Sequence, residues 1–359
     1  MATITPEQVL EQLRTVNDPE LHKDLVSLNM IKDIKVTGST VALTLELTTP
    51  ACPLKGQITA EVERAVKRIP GVEKVEVELS SRVRAPQSGG PGLPGVKNVV
   101  AVGAGKGGVG KSMVSVMLAY GLRRAGAAVG LMDADVYGPS IPTMTGTENA
   151  QPRIVNNMIE PPTSGGVKIV SIGFLVDRDK AIIWRGPMVH GVIKQFLENV
   201  NWGELDYLIV DLPPGTGDVP LTLAQSIPMT GAVVVCTPQD IALLDARRAV
   251  QMYEQLDVAC LGIIENMSYY ICPQCGHRDE LFDHGGARTA AKELGVPFLG
   301  EIPLNASMRV CADSGVPEKV FVDTDAEVRE AIDQVVSNTA AQISIRNENA
   351  TQAPAFARG

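Results

Sequence analysis

The hydrophobic pattern changes period along the chain, and each change marks an element. Residues 31–36 and 40–47 are short runs of strand character on either side of Thr37-Gly38-Ser39, the arrangement of two strands joined by a hairpin turn. Residues 56–69 place apolar side chains at helical spacing, and 72–79 alternate strictly, which predicts a third strand. Upstream, Thr5 is placed to cap a helix with Pro6 in its first turn and Gln8 completing a capping box. Asp18-Pro19-Glu20 repeats the cap-then-proline order. Together these predict a small α+β domain over residues 1–84.

Residues 85–95 carry Pro and Gly too densely for a packed element and read as a linker. Past it the apolar runs become continuous. Residues 99–102 have the uninterrupted apolar character of a buried parallel strand, 113–124 are helical and stop at Gly126, and 129–132 form a second buried strand. Further strands are expected at 167–172, 207–211, 231–236, 259–264 and 298–302, and helices at 188–200, 240–256 and 325–345. Residues 156–185 read as a β-rich excursion. Alternating strands and helices predict an α/β fold, a doubly wound, mostly parallel sheet over 96–346, followed by a polar tail over 347–359.

The first strand and helix of this domain enclose Gly103-Ala104-Gly105-Lys106-Gly107-Gly108-Val109-Gly110-Lys111-Ser112. Glycines let backbone N–H groups turn toward one point, and the helix N-terminus behind them favours an anion there. Gly105, Gly110, Lys111 and Ser112 satisfy G-x-x-x-x-G-K-[ST] in the strand–loop–helix context that a phosphate-binding loop requires. Lys111 belongs on the β/γ-phosphates and the Ser112 hydroxyl on Mg²⁺. Asp133 and Asp135 follow a strand end, where an open α/β sheet places its ligand. One can reach the Mg²⁺ shell and the other can orient the attacking water. Asp211 ends an apolar strand, placed to hold Mg²⁺ through water, and the 213–218 loop can sense a γ-phosphate. Asn266 follows another strand; its amide can pair with both a donor and an acceptor on adenine.

Composition narrows the class. The chain has 359 residues, 45% hydrophobic and 20% charged, which suits a globular protein with room for two domains. A net charge of −9 opposes a nucleic-acid footprint. No apolar run is long enough to span a membrane, and the first residues pattern as neither a secretory signal nor a transit peptide. Six cysteines in a chain of this size are not a disulfide framework. Cys272 and Cys275 form a C-x-x-C loop, which places two thiolates on one metal. A symmetric pair of chains supplies four, a set that suits Zn²⁺ or a [4Fe–4S] cluster. A zinc knuckle completed by His277 or His284, and a turn without metal, are the other readings. Cys52 lies between two prolines just ahead of a helix, where N–H groups can stabilise a thiolate; a buried structural cysteine is the alternative.

Several of these motifs are similar to known families. Gly-Lys-Gly-Gly-Val-Gly-Lys-Ser over 105–112 resembles the deviant Walker A loop of MinD/ParA/NifH-like ATPases, which implies that Lys106 reaches a partner subunit's nucleotide. Met113 stands where that class often has Thr, removing one possible phosphate hydrogen bond. Asp18-Pro19-Glu20 and Thr48-Thr49-Pro50-Ala51-Cys52-Pro53 resemble the MIP-eighteen-like domain of iron–sulfur assembly proteins, in which the loop cysteine is suspected of sulfur or cluster chemistry. With Asp133-Ala134-Asp135-Val136-Tyr137-Gly138-Pro139-Ser140, Asp211-Leu212-Pro213-Pro214-Gly215-Thr216-Gly217-Asp218 and the C-x-x-C pair, the chain resembles the Mrp/ApbC branch of the Mrp/Nbp iron–sulfur carrier ATPases over about residues 5–345. The resemblance implies a slow Mg²⁺-dependent ATP hydrolase with Lys106, Lys111 and Asp135 catalytic. It places ATP on residues 105–113 and Asn266, and Mg²⁺ on Ser112, Asp133 and Asp211. It also implies a homodimer that takes a [4Fe–4S] cluster from a donor scaffold onto paired Cys272 and Cys275 and passes it to apo-proteins. Without a further C-terminal domain, the chain looks like the bacterial cytoplasmic form. Two other classes are a MinD/ParA-like positioning ATPase, which would need a basic amphipathic membrane helix or a DNA-binding patch, and a zinc-binding scaffold whose nucleotide site is only structural.

Overall fold

The computed structural model describes residues 4–86, 93–174, 186–272 and 274–352. It divides into two compact units, Met1–Arg84 with Ser344–Gly359, and Ala85–Ile343.

The first unit begins with helix Pro6–Leu13, and Thr5 forms both arms of the expected capping box with Gln8. Val9 and Leu13 are its buried residues, so a single apolar stripe docks it. Strands Ile31–Thr37 and Thr40–Leu47 pair antiparallel across the Gly38 turn, and Lys74–Ser81 adds parallel to Thr40–Leu47. A parallel pair needs a crossover, which helix Lys55–Val66 supplies. Asp18-Pro19-Glu20 starts no helix. The Asp18 carboxylate instead accepts from the N–H groups of Glu20 and Leu21, closing a turn between two short strands.

The closing helix, expected to stop near 345, runs as Ala326–Gln352. Its extension is not a free polar tail. Glu348 pairs with Lys23 at 3.3 Å and Arg84 at 3.1 Å, and the Asn347 amide donates to the Arg84 carbonyl. Arg84 also donates to the Leu28 carbonyl at 2.7 Å.

The second unit carries a nine-stranded sheet. Across it run Thr163–Ser164, Val167–Ser171, Val129–Asp133, Leu205–Asp211, Val96–Gly103, Gly231–Cys236 and Cys260–Ile271; the last pairs with both Phe298–Leu304 and Arg278–Asp279. The long strands are parallel, as the alternating pattern predicts, and the two short end strands are antiparallel. Leu205–Asp211 lies between Val96–Gly103 and Val129–Asp133. The phosphate-loop strand therefore sits mid-sheet, where chain order switches sides and ligand crevices form.

One strand boundary needs correction. The strand expected to end at 264 continues to Ile271, turning through Met267 at φ 55° with a register shift between Asn266 and Tyr270. This β-bulge re-aims the strand instead of ending it. The β-rich excursion consists of hairpin strands Arg153–Val155 and Met158–Glu160, then Thr163–Ser164 with Val167–Ser171; 175–185 lie outside the described residues. The same holds for 87–92 of the linker. Among the described residues, no helix is long and apolar enough to cross a membrane.

The Glu348 pairs are partly exposed, so their worth is modest and sensitive to salt. Glu348→Ala should destabilise the first unit by about 1 kcal/mol at low ionic strength. Amide hydrogen exchange over 25–30 should quicken, and the difference should shrink in 1 M salt, where screening is over roughly 3 Å.

Candidate nucleotide site and cysteine hairpin

Strand Val96–Gly103 delivers the chain to the glycine loop, and helix Lys111–Arg124 leaves it. The helix is capped by Gly110 at φ 81°, with no side-chain hydrogen bond to its first N–H groups, which leaves them for an anion. Two glycines are forced by close approach. A Cβ on Gly105 would meet the Asp245 carbonyl oxygen at 2.2 Å, and one on Gly110 would meet Asn266 Nδ2 at 2.2 Å.

Beneath the loop lies a buried ionic knot. Lys111 Nζ sits 2.8 Å from Asp211 Oδ1 and 3.6 Å from Asp135 Oδ2. The Ser112 hydroxyl donates to Asp211 Oδ2 at 2.6 Å, and Ser115 donates to Asp211 Oδ1 at 2.6 Å. The structure thus brings Lys111, Ser112, Asp135 and Asp211 together as the motifs predict. Ser115 is an addition that the motif reading missed. Its signal was present: a polar residue one helical turn past Ser112, on a helix whose neighbours Val114, Val116 and Met117 are buried.

Other expected residues are placed differently. Asp133 is fully buried beside this knot and its oxygens are spent on protein. Oδ1 accepts from Asp135 N–H at 3.1 Å; Oδ2 accepts from the Ser171 hydroxyl at 2.9 Å and Ile141 N–H at 3.3 Å. Burial, then the Asp211 charge, push its carboxyl well above the ordinary carboxylate range. Asp133 anchors the 135–141 loop, whose last residue starts the short helix Ile141–Met144. Burial also raises Asp135, against the pull of Lys111. Asn266 donates to the Val109 carbonyl at 2.8 Å and so braces the phosphate loop from below. Lys106 is half-buried on the loop. Met113 lines an apolar crevice with Val116, Met144, Met308 and Cys311. Its side chain packs, leaving its backbone as what it can offer a phosphate.

The cysteine pair sits on a hairpin. Strand Cys260–Ile271 leads into it and Arg278–Asp279 returns, with Ile271 opposite Arg278. Cys272 N–H donates to the His277 carbonyl at 2.9 Å, and Gly276 N–H, at φ 71°, donates to the Cys272 carbonyl at 2.8 Å. The turn directs the Gln274 and Cys275 N–H groups at the Cys272 sulfur, which lowers its thiol below the ordinary range. The other shifts run upward. Burial pushes Cys52 and Cys260 to about 11 and Cys236 to about 12, and raises Cys311. For Cys52 the expected N–H contact exists, from Leu54, but burial outweighs it and the Glu20 and Asp18 carboxylates add to the rise. Cys52 is thus held as a thiol. His284, one candidate to complete a zinc knuckle, is engaged by Glu301 at 2.9 Å.

These sites fit what the chain is similar to. Residues 95–340 match the family described as NUBPL iron-transfer P-loop NTPase, and residues 6–79 match the family described as iron–sulfur cluster assembly protein. An iron–sulfur cluster carrier protein from Synechocystis sp. is 50% identical over 353 residues, covering 95% of this chain and 99% of that protein. One from Deinococcus radiodurans is 49% identical over 343 residues, covering 95% and 96%. Among solved structures, a nucleotide-binding protein from Archaeoglobus fulgidus in complex with ADP is 41% identical with a TM-score of 0.57, covering 63% of this chain and 90% of that one.

Asp133 gives a pH test. A carboxyl raised in the folded state holds its proton where the unfolded chain has lost it. Its contribution to stability is therefore full at low pH and declines as pH rises above about 4. Asp133→Asn cannot titrate. In the nucleotide-free protein, thermal stability of the wild type should fall relative to this variant as pH rises from 4 to 8, by an amount equivalent to about 1–2 kcal/mol. Parallel profiles would contradict the assignment.

Proposed function

The chain belongs to the NUBPL-type iron-transfer P-loop NTPase family, and from that premise we propose that it carries an iron–sulfur cluster to apo-proteins and hydrolyses ATP slowly with Mg²⁺. The observation that carries this reading is the hairpin with two cysteines and one lowered thiol, on the strand that also braces the phosphate loop. A cysteine ligates a metal or cluster as the thiolate; the hairpin turn favours that form at Cys272, while burial disfavours it at the four cysteines outside the hairpin. The cluster is cargo, taken from a donor scaffold. One hairpin offers two thiolates and a [4Fe–4S] cluster takes four. The holding species is therefore a homodimer with the two hairpins facing across the two-fold axis.

At the nucleotide site the residues suit Mg²⁺·ATP by donor chemistry. The N–H groups of the loop and helix start, with Lys111, would take phosphates; the Ser112 hydroxyl and the Asp211 carboxylate are hard oxygen donors that would hold Mg²⁺, whose charge would offset that of the phosphates. Asp135, the carboxylate beside Lys111, is the group placed to orient water. Asp133 supports that loop from behind, acting on the metal shell through position. Lys106 reaches the nucleotide of the second subunit. The smaller unit over 1–84, with Cys52, takes part in transfer, and the whole works in the cytoplasm.

Lys111→Ala should abolish nucleotide binding. Lys106→Ala should keep binding within several-fold and lower hydrolysis by about 10³-fold, the scale of a charge supplied in trans. Normal hydrolysis by Lys106→Ala would contradict a cross-subunit role.

After anaerobic reconstitution, the wild type should hold iron with broad absorption reaching into the visible. Cys272→Ala and Cys275→Ala each remove two of four thiolates from the symmetric site and should hold almost none. A featureless spectrum with bound zinc would overturn the cluster reading and favour a zinc scaffold.

A further inference from the structure

The base of the cysteine hairpin is gripped by one side chain. Arg278 opens the return strand. Its guanidinium carbon lies 3.6 Å from the centroid of the Tyr269 ring, two residues ahead of Ile271 on the outgoing strand. Its Nη2 is 2.9 Å from His284 Nε2 and 3.7 Å from Glu301 Oε1, on the neighbouring parallel strand. His284 Nε2 is also 2.9 Å from Glu301 Oε2, and its ring meets Tyr269 edge-on.

Glu265, His284 and Glu301 bring possible ligand atoms within 4.8 Å of one another, a spacing that suits a cation. The guanidinium of Arg278 stands against two of the three, His284 and Glu301. Both Glu265 oxygens are already engaged, since Oε1 accepts from the Ser268 hydroxyl and Gly285 N–H and Oε2 accepts from Ala287 N–H. The group is a socket for Arg278. A planar guanidinium can stack on a ring and hydrogen-bond at its edge at once, which an ammonium cannot.

The socket leads back to the nucleotide. Glu265 fixes the start of helix Gly286–Leu294 and, through Gly285, the adjoining His284. Its neighbour Asn266 holds the Val109 carbonyl of the phosphate loop. A path of hydrogen bonds and adjoining residues therefore runs from Val109 through Asn266, Glu265, Gly285 and His284 to Arg278 and the hairpin.

We propose that Arg278 is a positioning residue that fixes the hairpin bearing Cys272 and Cys275 and transmits to it the state of the phosphate loop. The proposal rests on the reading of those cysteines as cluster ligands. Holding four thiolates at cluster spacing requires each hairpin to be fixed on its own subunit. Coupling also requires that a shift at Val109 reach the hairpin through packed groups, and the effect must be reciprocal.

The test uses the full-length protein, reconstituted anaerobically with a [4Fe–4S] cluster. Iron loss to a chelator is followed with and without ATP and Mg²⁺, and nucleotide affinity is measured in the cluster-free protein. Arg278→Ala should lose iron about five-fold faster, the scale of a stacked cation. Its loss rate should no longer respond to nucleotide, while cluster-free nucleotide affinity stays within about two-fold of the wild type, because Arg278 touches no nucleotide residue. Arg278→Lys should restore little of the wild-type behaviour. Glu301→Gln, which keeps the side-chain shape, should shift both readings the same way by less, and it carries the test if Arg278→Ala does not fold. Wild-type loss rates in these variants overturn the positioning role. Faster loss that keeps its nucleotide response, or a wild type whose loss ignores nucleotide, overturns the transmission. The cysteine reading fails separately, if Cys272→Ala holds iron as the wild type does.

Discussion

The second unit is built around the Asp211 carboxylate. It ends the strand beside the phosphate-loop strand, is wholly removed from water, and is satisfied by Lys111, Ser112 and Ser115. Removing one member of such a buried pair costs about 3–5 kcal/mol, because the other charge is left without a partner. That penalty ties three residues of one helix to the end of one strand. It also bears on the proposed nucleotide site: a phosphate there would compete with these carboxylates for the Lys111 ammonium, and Asp211 would then be an oxygen donor for a divalent cation.

Solvation sorts the cysteines by the same physics. Thiolates need either water or N–H donors; the sheet interior supplies neither to Cys236, and at Cys260 burial outweighs the backbone hydrogen bond from Gly262. Cys272 gains donors because the turn at 274–276, with Gly276 in the left-handed region, points successive N–H groups inward. Cys52 has the donor and lacks the water, and two nearby carboxylates oppose its charge. Thiol chemistry at Cys52 therefore requires that its loop open to solvent or meet a partner carrying positive charge.

Much of this was legible from residue spacing. The phosphate loop, the Asp211 strand, the parallel sheet and the Thr5 capping box are local patterns, and local patterns survive in a linear chain. What escaped is direction. Asp133 and Asp135 differ by two positions after the same strand, yet one is turned to Ser171 and the other to Lys111, because the backbone curls around the first. Asn266 reads as an exposed end-of-strand amide only while the strand is taken to stop near 264; a bulge at Met267 carries it on and leaves the amide under the loop. Ser115 and Glu348 look like ordinary polar positions on helices until their distant partners Asp211 and Arg84 are in place.

The strand Cys260–Ile271 shows why the two chemistries are joined so economically. Successive residues of a strand face opposite sides of the sheet. Glu265 and Asn266 use that alternation: one fixes the helix beside His284, the other holds the phosphate loop at Val109. Beyond them the bulge at Met267 changes the strand's course, Tyr269 is buried as a platform for Arg278, and the chain turns at Cys272. Over 266–271 each residue except Met267 at the bulge is held by a side-chain contact or the sheet ladder, so the hairpin's position follows from the same packing that shapes the phosphate loop.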